Sequence, residues 1–126
     1  MRSNILALTV AGGMALATPA LAHHSAAMFD ATKTDTLAGT VLQYQFENPH
    51  AWIYLMVVDP SGKQKKYSIE MTSPNLLQRA GWRPSTLKPG DKVMVKIHPL
   101  HDGADGGSFL EITLPDGKVM DQRIRG

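Results

Sequence analysis

The helical period occurs only once in this chain, and it falls between two groups of segments that alternate like β-strands. Residues 73–81 (SPNLLQRAG) combine a serine that can cap a helix, a proline in the first turn and a terminating glycine. Proline- and glycine-rich turns separate most of the other segments. The segments with a strand-like pattern are residues 35–46, 51–58, 65–71, 92–98, 109–114 and 119–124.

This order predicts an all-β domain with one short helix, in the sequence β-β-β-α-β-β. It is the order of the OB-fold, a small and partly open five-stranded barrel. We therefore predict a single OB-like barrel of five to six strands over residues 35–126, preceded by an extended arm at 23–34. A small β-sandwich is the alternative, and residues 101–108 (HDGADGGS) are predicted to form a flexible loop.

The first 22 residues have the features of an export signal. Arg2 supplies a positive charge, residues 5–17 form an apolar run, and Ala20-Leu21-Ala22 is a small-residue cleavage site. The apolar run is well short of the roughly 20 residues that cross a bilayer as a helix. We predict a signal peptide at 1–22, a periplasmic location and no membrane anchor after cleavage; cleavage after Ala17 is the alternative.

Composition narrows the function classes. The chain contains no cysteine, which excludes disulfides, thiolate metal sites, thiol redox chemistry and lipid anchoring through a cysteine. The chain has 13 basic and 11 acidic residues, and removal of the signal would take away one basic residue, Arg2. The charges of the mature protein would therefore be nearly balanced. The basic residues cluster only at Lys63, Lys65 and Lys66, in a predicted turn, and a nucleic-acid surface needs a larger basic face. We expect no nucleic-acid partner.

Histidines give the first candidate site. Cleavage after Ala22 would make His23 the first residue of the mature protein, so its α-amine and ring could chelate one metal ion. Nitrogen ligands in a planar arrangement suit copper(II). His24 and His50 are candidate further ligands, and the loops of an OB-fold make His98 and His101 weaker candidates. A simpler interpretation, in which these histidines only cap turns or follow the cleavage site, stays open. Copper(II) is therefore the one candidate cofactor, and the sequence does not require any.

Aromatic residues give the second candidate site. Trp52 and Tyr54 lie on the second predicted strand, and Asn48 lies in the turn before it. OB-fold grooves use such rings to stack flat ligands. Trp52, Tyr54 and the neighbouring Asn48 are therefore candidate ligand-binding residues. Because aromatic residues make up only 6% of the chain, we expect most of them to pack in the core.

Acidic residues give no comparable indication of catalysis. An acid–base set could be drawn from Glu47, His50, Glu70, Asp102 and Asp105. No serine lies in a nucleophile motif, and acidic residues in a glycine-rich segment are usually turn formers. We therefore expect no enzymatic activity.

Several motifs together resemble a family of small exported bacterial proteins that is known as a domain of unknown function. The motifs are HHSxxxFD, GTV, NPH, IExxSPxxLxRxGW, LKPGDxV and DGxxGG. The resemblance covers residues 23–120 and implies export and a compact β-rich domain, but no activity. It marks His23, His24, Asn48, Pro49, His50 and Trp82 as motif positions. His101 stands where the resemblance leads us to expect arginine.

The sequence as a whole predicts an exported, periplasmic, non-enzymatic binding or accessory module of unknown ligand. Loops 47–51 and 98–108 are predicted to capture that ligand. One alternative is a copper(II)-binding protein that uses His23, assisted by His24 and His50. Another is an adaptor between envelope proteins. The possible partners are therefore a small ligand, a metal ion or an envelope protein.

The cleavage site can be tested directly. We expect protein exported and processed by a bacterial host to begin at His23, because Ala20 and Ala22 place small residues where signal peptidase requires them. Intact-mass spectrometry measures this start. A chain beginning at Thr18 would instead support the alternative site, and a chain that retains Met1 would contradict the export prediction.

Overall fold

The computed structural model describes residues 26–126, which form a β-barrel with one short α-helix. A short 3-10 turn, Ala26–Met28, comes first among the described residues, and the helix α1 lies between the third and fourth strands. The elements are β1 (Asp35–Gln45), β2 (Trp52–Val58), β3 (Gln64–Glu70), α1 (Pro74–Arg79), β4 (Lys92–Pro99), β5 (Gly106–Thr113) and β6 (Val119–Asp121). No helix of residues 26–126 is long and apolar enough to span a membrane.

Strand pairing closes the first five strands into a barrel. The hydrogen-bonded order is β3-β2-β1-β4-β5-β6, and an additional pairing joins β3 to β5. The β3–β5 pairing is parallel, whereas all other strand pairs are antiparallel. Strand β6 extends the sheet beyond β5. The predicted all-β class, the single helix and the OB-type barrel are thus confirmed.

The prediction of a loop through residue 108 is wrong at its C-terminal end. Gly106, Gly107 and Ser108 belong to β5, and they are the residues that pair with β3 and close the barrel. A Cβ atom on Gly106 would lie only 2.6 Å from the carbonyl oxygen of Ser68. Two adjacent glycines have low strand propensity, so sequence patterning does not reveal that the missing side chain of Gly106 permits this close approach.

The core fills the barrel from the inner faces of the strands. A β-bulge in β1, between Val41 and Gln43, changes which residues of that strand face inward. Simple alternation would place Tyr44 on the face opposite Val41, yet Tyr44 and Phe46 pack against the same core as Val41. The bulge therefore lets one strand contribute to the core on both sides of its bend.

Trp82 joins the helix to the end of the barrel. Its side chain is fully buried, and its ring meets that of Phe109 edge to face, with centroids 5.5 Å apart. The indole Nε1 donates a hydrogen bond of 2.8 Å to the carbonyl oxygen of Asp121. This bond connects the segment that follows α1 to β6, so the last strand and the helix are fixed relative to each other.

The close approach of β3 and β5 predicts a sensitive position. We expect Gly106→Ala to lower the free energy of unfolding by about 1–3 kcal/mol, because the new methyl group would press against the Ser68 carbonyl group. Urea denaturation measures the change. Gly126→Ala is the matched control, since a Cβ there meets no atom within 4 Å. Equal stability of the two variants would contradict the proposed crowding.

Candidate functional site

The N-terminal segment, residues 26–34 (called the arm below), lies against the end of β4. Phe29 forms a β-bridge with Leu100. The amide of Asp30 donates to the carbonyl oxygen of Pro99 at 2.8 Å, and the amide of His101 donates to that of Met28 at 3.0 Å. These are backbone interactions, so they fix the path of the arm without depending on particular side chains.

His98 and His101 contact the arm rather than His50. The Nδ1 atom of His98 lies 2.7 Å from the carbonyl oxygen of Lys33. The Nδ1 atom of His101 lies 3.9 Å from Oδ2 of Asp30. Hydrogen bonds from the hydroxyl and the amide of Thr32 hold the pKa of Asp30 below its ordinary value. The two weaker metal candidates thus lie where the arm is attached.

His50 forms the central contact of the candidate site, with Glu70. Its Nδ1 atom lies 2.8 Å from Oε1 of Glu70. The strand ladder continues past β2 and β3 through two hydrogen bonds, from Ala51 to Thr72 and from Met71 to Ala51, and this places the turn before β2 beside the end of β3. The side chain of His50 is 44% exposed, whereas that of Glu70 is only 10% exposed.

The second oxygen of Glu70 has an unusual environment. Oε2 is buried and has no hydrogen-bond partner among residues 26–126. Glu70 lies on the outer face of β3, where a carboxylate would normally face water. Here, however, it lines two small cavities, and Phe29 of the arm lines both of them too. A buried carboxylate oxygen without a donor is costly, because the charged group loses its hydration without compensation.

Two cavities adjoin Glu70. The first, about 250 Å³ and called the His50 cavity below, has Ala26, Phe29, His50 and Glu70 in its lining. Its remaining lining residues are largely polar and include Ser108 and Gln122. The second cavity is smaller, about 170 Å³, and is mostly apolar. The carboxylate therefore adjoins both a cavity shared with His50 and a second, more apolar cavity.

The ring pair Trp52–Tyr54 lies on the outside of β2. Their rings are nearly parallel, with centroids 6.3 Å apart and an interplanar angle of 15°. Lys66 Nζ lies 4.8 Å from the centroid of Tyr54. The inward positions of β2 are filled by Ile53 and Leu55, which are fully buried. Core packing, expected for most aromatic residues, is therefore wrong for Trp52 and Tyr54.

Three predicted site residues remain, namely Asn48, His23 and His24. Asn48 is exposed in the turn between β1 and β2, where its peptide bond to Pro49 is cis. His23 and His24 lie outside the described residues, as does the predicted signal peptide. Within residues 26–126, no three His, Asp or Glu side chains are close enough together to hold a metal ion.

Glu70 is the residue whose importance the sequence did not reveal. A single glutamate at the end of an alternating strand is typical of a solvent-facing position. The sequence offers Glu70 only as one of several acidic residues for an acid–base set and as part of the IExxSP motif. Burial of Glu70 follows from the arm and the β3–β5 pairing, and neither contact is local in sequence.

Barrel topology and an arm-covered cleft together define a small OB-type β-barrel protein with a histidine–carboxylate pair on its outer face. The chain belongs to a family of unknown function (DUF6152), whose family model matches residues 12–109. It is also similar to a solved structure of the mitochondrial single-stranded DNA binding protein Rim1 from S. cerevisiae. That similarity has 13% identity and a TM-score of 0.47, covering 65% of this chain and 93% of the yeast chain. No curated protein matches the chain significantly.

The unpartnered oxygen of Glu70 predicts an effect on stability. We expect Glu70→Gln to raise the free energy of unfolding of the metal-free protein by about 1 kcal/mol, because a neutral amide is less costly to bury than a carboxylate with one unpartnered oxygen. The amide oxygen could still accept a hydrogen bond from His50. Glu111→Gln is the matched control, because Glu111 is more exposed and pairs with Lys96 at 3.0 Å. Urea denaturation at neutral pH measures both, and destabilisation by Glu70→Gln would contradict this expectation.

Proposed function

We propose that the protein is an exported, periplasmic and non-enzymatic binding protein whose ligand is copper(II). The observation that carries this proposal is that Ala26 and His50 line the same cavity. The start of the arm is therefore next to the imidazole of His50, which is paired with the buried carboxylate of Glu70. A mature chain beginning at His23 would bring an α-amine and two further imidazoles to this side of the barrel.

The distance along the chain is compatible with such a site. His23 precedes Ala26 by three residues, and an extended chain spans at most about 3.6 Å per residue. A separation of up to roughly 11 Å can thus be bridged. His24 is one residue closer. The His50 cavity is within reach of the amine and ring of His23 without any movement of the barrel.

The donor set favours copper(II) over other common divalent ions. An α-amine and imidazole nitrogens are borderline ligands, and copper(II) has the highest affinity for such sites among the first-row divalent metals. The α-amine has an ordinary pKa of about 7.7–8.0, so a metal ion can displace its proton near neutral pH. The absence of cysteine excludes a thiolate copper site.

A second candidate function is capture of a flat ligand or an envelope partner by the outer face of β2. The observation that favours it is the parallel ring pair Trp52–Tyr54 on the outside of the barrel. OB-folds use the outer face of their second and third strands for binding. This candidate is independent of the N-terminus, so it predicts sensitivity to Trp52→Ala and indifference to changes at His23.

The copper proposal is tested on protein that a bacterial host has exported and processed. We expect the metal-free mature chain to bind one copper(II), with nitrogen hyperfine structure in its electron paramagnetic resonance spectrum. An added alanine before His23 should weaken binding at least tenfold, because the amine and the ring would no longer belong to one residue. Isothermal titration with copper(II) and zinc(II) measures both forms.

His101→Asn is the matched control for this experiment. The backbone amide of His101, which the substitution retains, holds the arm, and the ring lies 3.9 Å from Asp30. We expect copper affinity to be unchanged in this variant. Equal losses in His101→Asn and in the extended chain would indicate nonspecific binding to histidines. No loss in the extended chain would contradict the proposal and direct attention to the Trp52–Tyr54 face.

A further inference from the structure

The structure contains a buried anionic group that the histidine-based proposal does not use. We propose that Glu70 is itself a metal ligand, and that the ion binds between the carboxylate of Glu70 and Nδ1 of His50. This inference rests on the proposed copper function and names a ligand for that same site. It changes the predicted donor set from nitrogen atoms alone to nitrogen atoms with one carboxylate oxygen.

Spacing is the first observation in favour. Nδ1 of His50 and Oε1 of Glu70 lie 2.8 Å apart. Nitrogen and carboxylate ligands lie about 2.0–2.2 Å from a metal such as zinc. Two ligand atoms at such distances, at a right angle around the ion, are about 2.8–3.1 Å apart. In a tetragonal copper(II) site, neighbouring ligands stand near a right angle. The two side chains therefore need little movement to accept an ion between them.

The unpartnered oxygen is the second and independent observation. The side chain of Glu70 is nine-tenths buried, and its Oε2 atom has no hydrogen-bond donor within residues 26–126. Protein interiors normally pair such an oxygen with a donor or a cation. Because Glu70 lines the His50 cavity, an ion bound there would supply the positive charge that the carboxylate lacks.

The permanent cations of the barrel do not fill this role. Among the ion pairs described for residues 26–126, the partner of Glu70 is His50. Lys66, which lies on the same face of β3, is positioned over the ring of Tyr54. The other ion pairs of lysine and arginine side chains are made with carboxylates other than Glu70. The basic residues in these pairs are Lys33, Lys88, Lys96, Arg123 and Arg125. The carboxylate is thus available to an external cation.

A positioning role is the competing arrangement. Histidines that bind a metal through one nitrogen usually donate the other N–H group to a carboxylate. In that arrangement Glu70 would orient His50, the metal would bind Nε2 on the far side of the ring, and Glu70 would not touch the ion. The two arrangements make different predictions for the spectrum of bound copper, because only one places an oxygen from Glu70 in the coordination sphere.

The experiment compares three variants of the processed protein with the wild type. Glu70→Gln removes the charge and keeps the shape, Glu70→Asp keeps the charge but shortens the side chain by one methylene, and Glu111→Gln is the control. We expect Glu70→Gln to weaken copper(II) binding by at least about 10-fold. Losses of roughly 10- to 100-fold are typical even for groups that only contact a metal ligand. Glu70→Asp should recover part of the affinity, and Glu111→Gln should bind like the wild type.

Electron paramagnetic resonance decides between ligand and positioning roles. Direct ligation predicts that residual copper in Glu70→Gln has altered parallel g and hyperfine values, because the oxygen ligand is lost or replaced. Weaker binding with an unchanged spectrum would overturn the ligand assignment in favour of positioning. Unchanged affinity and an unchanged spectrum would overturn any role for Glu70. A wild type that binds no copper would instead contradict the proposed function itself.

A measurement on the wild type avoids dependence on how the variants fold. The chain has three glutamates, Glu47, Glu70 and Glu111. Protein labelled with carbon-13 in its glutamate carboxyl groups should show a shifted carboxylate stretch in the zinc(II)-minus-apo infrared difference spectrum. That band should persist in Glu111→Gln and vanish in Glu70→Gln. Absence of the band in metal-loaded wild-type protein would overturn direct ligation.

Discussion

The parallel pairing of β3 with β5 is the contact on which the barrel and its candidate site both depend. It joins Ser68, Ile69 and Glu70 to residues 106–108 and closes the five-stranded ring. Gly106 of β5 permits the close backbone approach to β3. The same pairing sets Glu70 opposite Ser108, so the closure of the barrel also creates the floor of the His50 cavity.

The arm covers this part of the outer surface and contributes to the lining of the candidate site. Phe29 lines both cavities that adjoin Glu70, at the end of β3. With the arm attached to Pro99 and Leu100, the carboxylate is nine-tenths buried and has one neighbour that can share a proton or a metal ion, His50. The first described residue, Ala26, lines the same cavity.

Much of the fold was predictable because it depends on local patterns. The predicted strand at 35–46 corresponds to Asp35–Gln45, and the helix at 73–81 contains Pro74–Arg79 with Ser73 as its cap. The errors fall where a nonlocal contact overrides a local preference. The glycines of β5 form a strand because β3 pairs with them, and Trp52 and Tyr54 stay outside because Ile53 and Leu55 already occupy the interior.

The sequence by itself determined the order of strands and helix, the absence of thiol chemistry and the candidate histidines, since these follow from residue type and spacing along the chain. Only the tertiary structure separated His50 from His98 and His101 and paired it with Glu70. The physical reason is burial. Whether a carboxylate is solvated or left without a partner depends on which distant segment covers it, and periodicity along one strand contains no information about that segment.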